Sequence, residues 1–291
     1  MTWTILAVLN WTEQRFRERS VGTPRLDAQL LLAHILKHDR VYLYTHFDQP
    51  LSPDELAAYR ALIQRRLAGE PVAYLVGSKE FRSLLLDVDA RVLVPRPDTE
   101  ILVETALALL APAAAAGEEE GGKAGRVVDV GTGSGAVALA LKKERPDLEL
   151  LAVDRSSGAA AVARANAEKL ALAVEVLEGD LLAPVAARGP FALIVSNPPY
   201  IPTAEVATLA VEVRKEPMAA LDGGTDGLDV IRRLVHDAPP LLEPGGALAL
   251  EVGAGQAPSV AQLFASDGRY AAATVATDLG GIERVVAARL R

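Results

Sequence analysis

The sequence predicts an α/β fold: a mostly parallel, seven-stranded sheet wrapped by helices, preceded by a small helical domain and a β-hairpin linker. Three observations carry that expectation. From residue 126 onward, short aliphatic runs alternate with helical patterns, the rhythm of a parallel sheet. A glycine-rich turn, Gly131-Thr132-Gly133-Ser134-Gly135, separates the first of those runs from its helix. The run Phe191-Ala192-Leu193-Ile194-Val195-Ser196 is stopped by Asn197-Pro198-Pro199-Tyr200. Proline has no N–H to give to a ladder, so pairing ends at Pro198. A stiff turn is left at the strand's C-terminal edge, where open α/β sheets bind ligands.

Taken in order, residues 1 to about 70 read as helices. Leu6, Leu9 and Phe16 recur at helical spacing after Thr4. Thr23-Pro24 reads as an N-cap followed by proline at the first helical position, opening a helix over 25–37 with Leu26, Leu30 and Ile35 as its apolar face. Ser52-Pro53-Asp54-Glu55 combines a capping box with proline in the first turn, and Gly69 ends that helix. Residues 80–94 alternate (Leu84, Leu86, Val88, then Val92, Val94), which predicts a hairpin. Pro95-Arg96-Pro97-Asp98-Thr99-Glu100 fixes the entry to a helix over 101–110 whose first turn is acidic. Residues 111–125 (APAAAAGEEEGGKAG) are low-complexity and glycine-rich, and read as a mobile surface loop. Strands follow at 127–130, 149–153, 174–177, 191–195, 247–252 (after a Pro-Gly-Gly turn), 274–277 and 284–290, with helices at 136–143 and 158–170. The expected domains are 1–79, a linker 80–95, and 96–291.

Composition narrows the function classes. With half of its 291 residues apolar, the chain can bury a large core and more than one domain. No charge-free stretch of 18 apolar residues and no basic start before an apolar run are present, so neither a membrane span nor a secretion signal is expected. The absence of cysteine rules out disulfides, thiolate metal sites and a cysteine nucleophile, and fits a reducing cytoplasm. The four histidines form no ligand cluster, although His34 and His38 share a helical i, i+4 face, and no metal is expected. Residues 1–95 hold 12 Lys and Arg against 11 Asp and Glu, and residues 96–291 hold 18 against 27. Proteins that hold long nucleic acids show a basic face, so this balance points away from a nucleic-acid substrate and toward a basic protein partner.

The chemistry gathers at strand ends. In the turn 131–135 the glycines permit close backbone approach by a ligand, with helix N–H groups available to an anion. The spacing is GxGxG; Ala136 breaks the dinucleotide pattern GxGxxG. Asp129, just before the turn, can hold an ammonium group directly or through water; Asp154 ends the second strand, where it can accept from two ribose hydroxyls, and Gly179-Asp180 ends the third, where a carboxylate can take an adenine amino group. Together with Asn197 these suit a nucleoside bearing an amino-acid tail, as in S-adenosylmethionine. Taken alone, Asn197-Pro198-Pro199-Tyr200 reads equally as a rigid turn with a capping asparagine.

On these residues the chain resembles class I methyltransferases, Rossmann-like enzymes that methylate amino groups conjugated to a π-system. More narrowly, it is similar to the PrmC/HemK-type release factor glutamine methyltransferases. The stretches that carry the likeness are RLDAQLLLAHIL (25–36), GEPVAYLVGSKEF (69–81), VPRPDTE (94–100), ERPDLELLAVD (144–154), SNPPYIP (196–202) and EPMAALDGGTDGL (216–228). One departure is visible: Leu181 stands where relatives often carry an aromatic residue, which weakens the expectation of stacking on adenine.

The resemblance implies methyl transfer from S-adenosylmethionine, leaving S-adenosylhomocysteine, to the side-chain amide of a glutamine in the Gly-Gly-Gln loop of release factors one and two. It implies cofactor contacts at Asp129, Gly131, Thr132, Gly133, Ser134, Gly135, Asp154, Asp180, Leu181 and Asn197. Asn197, Pro198, Pro199 and Tyr200 would hold the substrate, with Asn197, Pro198 and Tyr200 catalytic. The helical domain would dock the release factor, and the enzyme would act as a cytoplasmic monomer. Arg96 fits a cofactor contact or a structural role at the domain junction, and 216–228 fits a surface turn or the border of the peptide entrance. The alternatives are a glutamine methyltransferase of a ribosomal protein and a DNA or RNA amino-methyltransferase. Outside the class stand a nicotinamide-dependent dehydrogenase, disfavoured by the missing GxGxxG, and a non-catalytic nucleotide-binding module, disfavoured by the dense strand-end constellation.

Overall fold

The computed structural model describes residues 3–110 and 125–291. The loop expected at 111–125 lies, apart from Gly125, outside the described residues. The chain divides into two compact units, residues 1–78 with 210–215, and residues 79–209 with 216–291.

The first unit is helical: α1 (Ile5–Glu18), α2 (Pro24–Leu36), α3 (Arg40–Thr45), α4 (Pro53–Leu67) and α5 (Val72–Val76). Thr4 caps α1 through the Ala7 amide, and Ser52 and Glu55 close the capping box on α4 reciprocally, as their spacing predicts. Thr23 sits at the N-cap of α2 but gives its hydroxyl to Asp27 at 2.6 Å instead of accepting from the backbone. The expected apolar face of α2 is displaced. Asp27, Ala28, Gln29, Leu31, Leu32 and Ala33 are buried, while Leu26 is 37% exposed. This helix is apolar nearly all round, so its rotation is fixed by polar anchors instead. Arg66 donates to Asp27 at 2.7 Å, both residues being buried, and Arg40 and Tyr44 bond Gln29. A buried charge needs its partner, and that requirement outweighs a choice among leucines. Lys37, at φ +57°, ends α2 before His38, so His34 and His38 do not share a helix; His38 stacks on Tyr42, and Tyr42 on His46.

The second unit opens with a hairpin, β1 (Ser78–Phe81) and β2 (Leu84–Asp87), shorter than the alternation to Val94 predicts. Val88, Val92 and Val94 are buried outside the hairpin, because the backbone there is committed elsewhere: Val92 N–H donates to the Asp89 carbonyl at 3.1 Å and Val94 N–H to the Glu216 carboxylate at 2.9 Å. A single 3-10 turn (Pro97–Thr99) leads into α6 (Glu100–Leu110). Then come β3 (Arg126–Val130), α7 (Ala136–Glu144), β4 (Glu149–Asp154), α8 (Ser157–Lys169), β5 (Val174–Glu178), β6 (Phe191–Ser196), α9 (Thr203–Val206), α10 (Asp229–Asp237), β7 (Leu242–Glu251), α11 (Ala257–Asp267), β8 (Thr274–Thr277) and β9 (Glu283–Arg289). Strand β7 starts five residues earlier than predicted. The Pro-Gly-Gly stretch is absorbed as an irregularity in pairing with β6, Gly245 taking φ +76°.

The sheet order is β5-β4-β3-β6-β7-β9-β8, with β3 through β7 parallel and β9 antiparallel to both neighbours. Core clusters cover the sheet on both faces, one around Val128, Ile194, Leu248 and Phe264, the other around Val127, Leu193, Ala247 and Leu102. Strand order reverses between β3 and β6, the place where such sheets leave a crevice outside their carboxyl ends. Val130 pairs with Ser196, so the glycine turn and Asn197 leave the sheet side by side. Among the described residues, no helix is long and apolar enough to cross a membrane, and no group of three His, Cys, Asp or Glu is placed to hold a metal.

Candidate active site

At that crevice a cleft of about 180 Å³ is lined by Gly131, Gly133, Asp154, Asp180, Leu181, Asn197, Pro198 and Pro199 among the residues singled out from sequence. A smaller cleft of about 50 Å³ adjoins it, lined by Asp129, Gly131, Thr132, Gly133, Ser134 and Asn197. Gly135 and Tyr200 line neither. Gly135 has φ +85°, and a Cβ there would stand 3.0 Å from Leu139 and 3.5 Å from the Ala163 backbone, so this glycine lets α7 pack.

The glycine turn is shaped by its own bonds. Gly131 and Thr132 donate to the Val153 carbonyl, Gly135 to Thr132, and Gly133 to Asp154 Oδ2 at 2.9 Å. The amides open to an anion are therefore those at the start of α7, where Ser134, Ala136 and Val137 border the smaller cleft. Asp154 Oδ1 accepts from Ser156 N–H at 2.9 Å, so each of its oxygens already holds one backbone amide. A carboxylate offers about four lone-pair sites, which leaves two for the paired hydroxyls of a ribose. Asp129 is 1% exposed; its Oδ2 accepts from the Thr132 hydroxyl at 2.7 Å and Ala138 N–H at 3.2 Å. Burial pushes its carboxyl up to about 6, those two bonds pulling the other way. Asp180 is exposed and paired with Arg233 at 2.6 Å. Leu181 takes φ +48°, an unusual conformation for a non-glycine residue, and turns onto the cleft.

The asparagine is oriented. Its Nδ2 donates to the Thr99 hydroxyl at 3.1 Å, which leaves Oδ1 free to accept. The 216–228 segment lines the larger cleft through Pro217, Ala219 and Ala220 and braces this turn. Gly223 N–H donates to the Ile201 carbonyl, Ile201 N–H to Leu221, and Gln256 donates to the Tyr200 carbonyl at 2.9 Å. A Cβ on Gly227 would lie 2.1 Å from that same carbonyl oxygen, and one on Gly223 2.7 Å from Pro199 O. Arg96 pairs with Glu216, whose carboxylate also takes Val94 N–H, so the arginine holds its own segment in place. Tyr200 is half-buried, and burial first, then the Glu251 charge, push its hydroxyl up to about 12.

Several residues that border or support the clefts were not singled out from the sequence: Arg91, Val92 and Leu93 over the larger one, Thr99 behind Asn197, and Glu216 and Glu251 beneath. For Thr99 and Glu216 the only signal was membership in the two quoted segments. For Glu251 it was an acid closing an otherwise apolar strand.

Comparison with known proteins agrees with this arrangement. Residues 7–77 match the PrmC N-terminal domain and residues 104–224 the methyltransferase small domain. Among solved structures, a methyltransferase from Pyrococcus furiosus aligns at TM-score 0.53 and 19% identity, over 71% of this chain and 88% of that one. A Thermus thermophilus 16S rRNA N2 G1207 methyltransferase, solved with AdoMet and guanosine, aligns at TM-score 0.53 and 21% identity, over 74% of this chain and 50% of that one. The fold is thus that of the class I methyltransferases, and a methyltransferase domain is matched within it. Along the chain, the release factor glutamine methyltransferase of Geobacter sulfurreducens is 47% identical, covering 99% of this chain and 97% of its own length. Those of Deinococcus radiodurans and Rhodopirellula baltica are 43% and 40% identical, over 97% and 98% of this chain and 97% and 95% of their own lengths. The chain belongs to the release factor glutamine methyltransferase family.

Proposed function

We propose that this enzyme transfers the methyl group of S-adenosylmethionine to the side-chain amide nitrogen of a glutamine in peptide chain release factors, in their Gly-Gly-Gln loop. Kinship over nearly the whole length supports the substrate. The observation that carries the chemistry is the Asn197 Nδ2 bond to Thr99, which leaves Oδ1 free to accept, in a turn whose Asn197 and Pro198 both line the cleft.

The residues present fit the cofactor. The amino-acid tail would meet the start of α7 and Asp129, the ribose Asp154, and the base Asp180 and Leu181. When bound, S-adenosylmethionine supplies an electrophilic methyl carbon. The rest is positioning by the chain. A carboxamide nitrogen is a poor nucleophile because its lone pair is delocalised into the carbonyl. Asn197 Oδ1 and the Pro198 carbonyl would accept its two N–H bonds, hold it in line, and favour the positive charge that develops on nitrogen. Pro199 stiffens the turn, and Tyr200 would pack beside the amide plane and exclude water. The helical unit would dock the release factor, and the reaction would proceed in the cytoplasm on a monomeric enzyme, without a metal.

Incubation with labelled S-adenosylmethionine and purified release factors one and two, followed by peptide mass mapping, tests this reading. Label is expected on one glutamine. Label on a ribosomal protein or a nucleic acid, with none on the release factors, would replace it.

A further inference from the structure

Glu251 ends β7 one residue past Leu250, the partner of Ser196, and so stands beside the point where β6 gives way to Asn197. It is 2% exposed, borders neither cleft, and its Oε2 has no hydrogen-bond partner. Four groups bear on its charge: Thr99 and Asp98 from the 3-10 turn, Tyr200 from the turn after β6, and Arg284 from β9, next to Val285, the strand partner of Glu251. The Arg284 charge is divided, because it pairs with Asp98 at 2.8 Å and Asp278 at 2.8 Å. Thr99, itself 4% exposed, accepts from Asn197 Nδ2. A hydroxyl that accepts through its oxygen still has one proton to give, and Glu251 is the buried carboxyl on which Thr99 acts most strongly after burial itself.

We propose that Glu251 is a positioning residue for methyl transfer: its carboxylate draws the Thr99 proton, Thr99 in turn fixes the Asn197 amide with Oδ1 toward the acceptor, and the Tyr200 hydroxyl is held by the same group. This rests on the reading of Asn197 as the clamp on the target amide. The direction of the chain depends on charge. Ionised, Glu251 can only accept, so both hydroxyls donate to it and the Thr99 oxygen is left open to Asn197. Protonated, it becomes a donor itself, and the order of donors along Asn197, Thr99 and Glu251 is no longer imposed. Burial, opposed by the two hydroxyls and by Arg284 and reinforced by Asp98, pushes the carboxyl up to about 7. Ordering of the clamp therefore sets in as pH rises through neutrality.

The test compares wild type with Glu251→Gln, Thr99→Val, Thr99→Ser and Asn197→Ala on purified release factor between pH 5.5 and 9. Wild-type kcat is expected to fall on the acid side of about pH 7. Glu251→Gln is expected to lose that dependence and to turn over more slowly at pH 8. Thr99→Val should lose about 10- to 100-fold in kcat while Thr99→Ser stays within about threefold, KM and the affinity for S-adenosylhomocysteine being unchanged in each. With carboxyl-¹³C-labelled glutamate, one resonance titrating near neutrality should vanish in Glu251→Gln. An acid limb that survives in Glu251→Gln, or wild-type kcat in Thr99→Val, overturns the inference. If either comes with an inactive Asn197→Ala, the amide clamp stands and only the role of Glu251 falls. Near-normal turnover by Asn197→Ala would remove both.

Discussion

Asn197 and Asp154 are both held by the chain itself, and how each is held separates their phenotypes. Asn197 donates its amide N–H to Thr99, which leaves its oxygen free to accept, so on the proposed reading Asn197→Ala removes an acceptor for the reacting nitrogen. Loss of one oriented group of this kind costs about 2.7–4 kcal/mol of activation energy, and turnover on release factor should drop by at least about 100-fold. Cofactor binding is expected to stay within about threefold, since the side chain lost is only one of many around the cleft. Asp154 is different: both its oxygens hold backbone amides, one of them in the glycine turn. Asp154→Ala removes the ribose acceptor and unpairs Gly133 and Ser156 together. Calorimetry with S-adenosylhomocysteine should show affinity reduced by about tenfold or more, each lost hydrogen bond to a charged group being worth about 1.5–3 kcal/mol. An unchanged dissociation constant would remove Asp154 from the cofactor site.

At the scale of elements, the 216–228 segment shows why glycine is needed beside the catalytic turn. Gly227 has φ +77°, and any Cβ there would press on the Tyr200 carbonyl at 2.1 Å. Gly268, at the end of α11, has nearly the same φ, +78°, with nothing within 4 Å. Alanine at either position carries the left-handed penalty of about 1–2 kcal/mol; only Gly227→Ala must also displace the turn after β6. Gly268→Ala should therefore lower Tm slightly and keep full kcat, whereas Gly227→Ala should lose both stability and methyl transfer. Equal kcat values for the two variants would separate the glycine segment from the turn it braces. This coupling was not legible in sequence, and the reason is general. Strands β3, β4, β5 and β6, the glycine turn and the α4 capping box were legible because their signals lie within a few residues. The buried face of α2 was misread because Asp27 answers to Arg66, and the hairpin was drawn too long because Val94 answers to Glu216. Thr99 and Glu251 likewise take their meaning from residues about 50 to 150 positions away, which no local pattern encodes.

For the whole molecule, the buried acids should set how stability responds to pH. Asp129 rises to about 6 and Glu251 to about 7, both chiefly through burial. The sign follows from proton counts. Below the unfolded value of 4.5, Glu251 is protonated whether the chain is folded or not; between 4.5 and about 7 only the folded form keeps its proton; above that both are ionised. The folded state binds the extra proton, so the contribution of this group is complete at low pH and is lost as pH rises through about 7. A shift of this size corresponds to about 3 kcal/mol. Glu251→Gln cannot ionise. Its stability relative to wild type, followed by urea unfolding of the sheet-bearing unit, should therefore rise between pH 4.5 and pH 8 by up to about 3 kcal/mol. Any fixed difference in hydrogen bonding cancels, because only the change with pH is compared. A gap that stays constant across that range would show that no buried charge forms at Glu251. If the gap opens as expected, one substitution removes the loss of stability that wild type suffers between pH 4.5 and pH 8 while slowing methyl transfer at pH 8. That opposition is what separates an acid retained for positioning from one that merely packs.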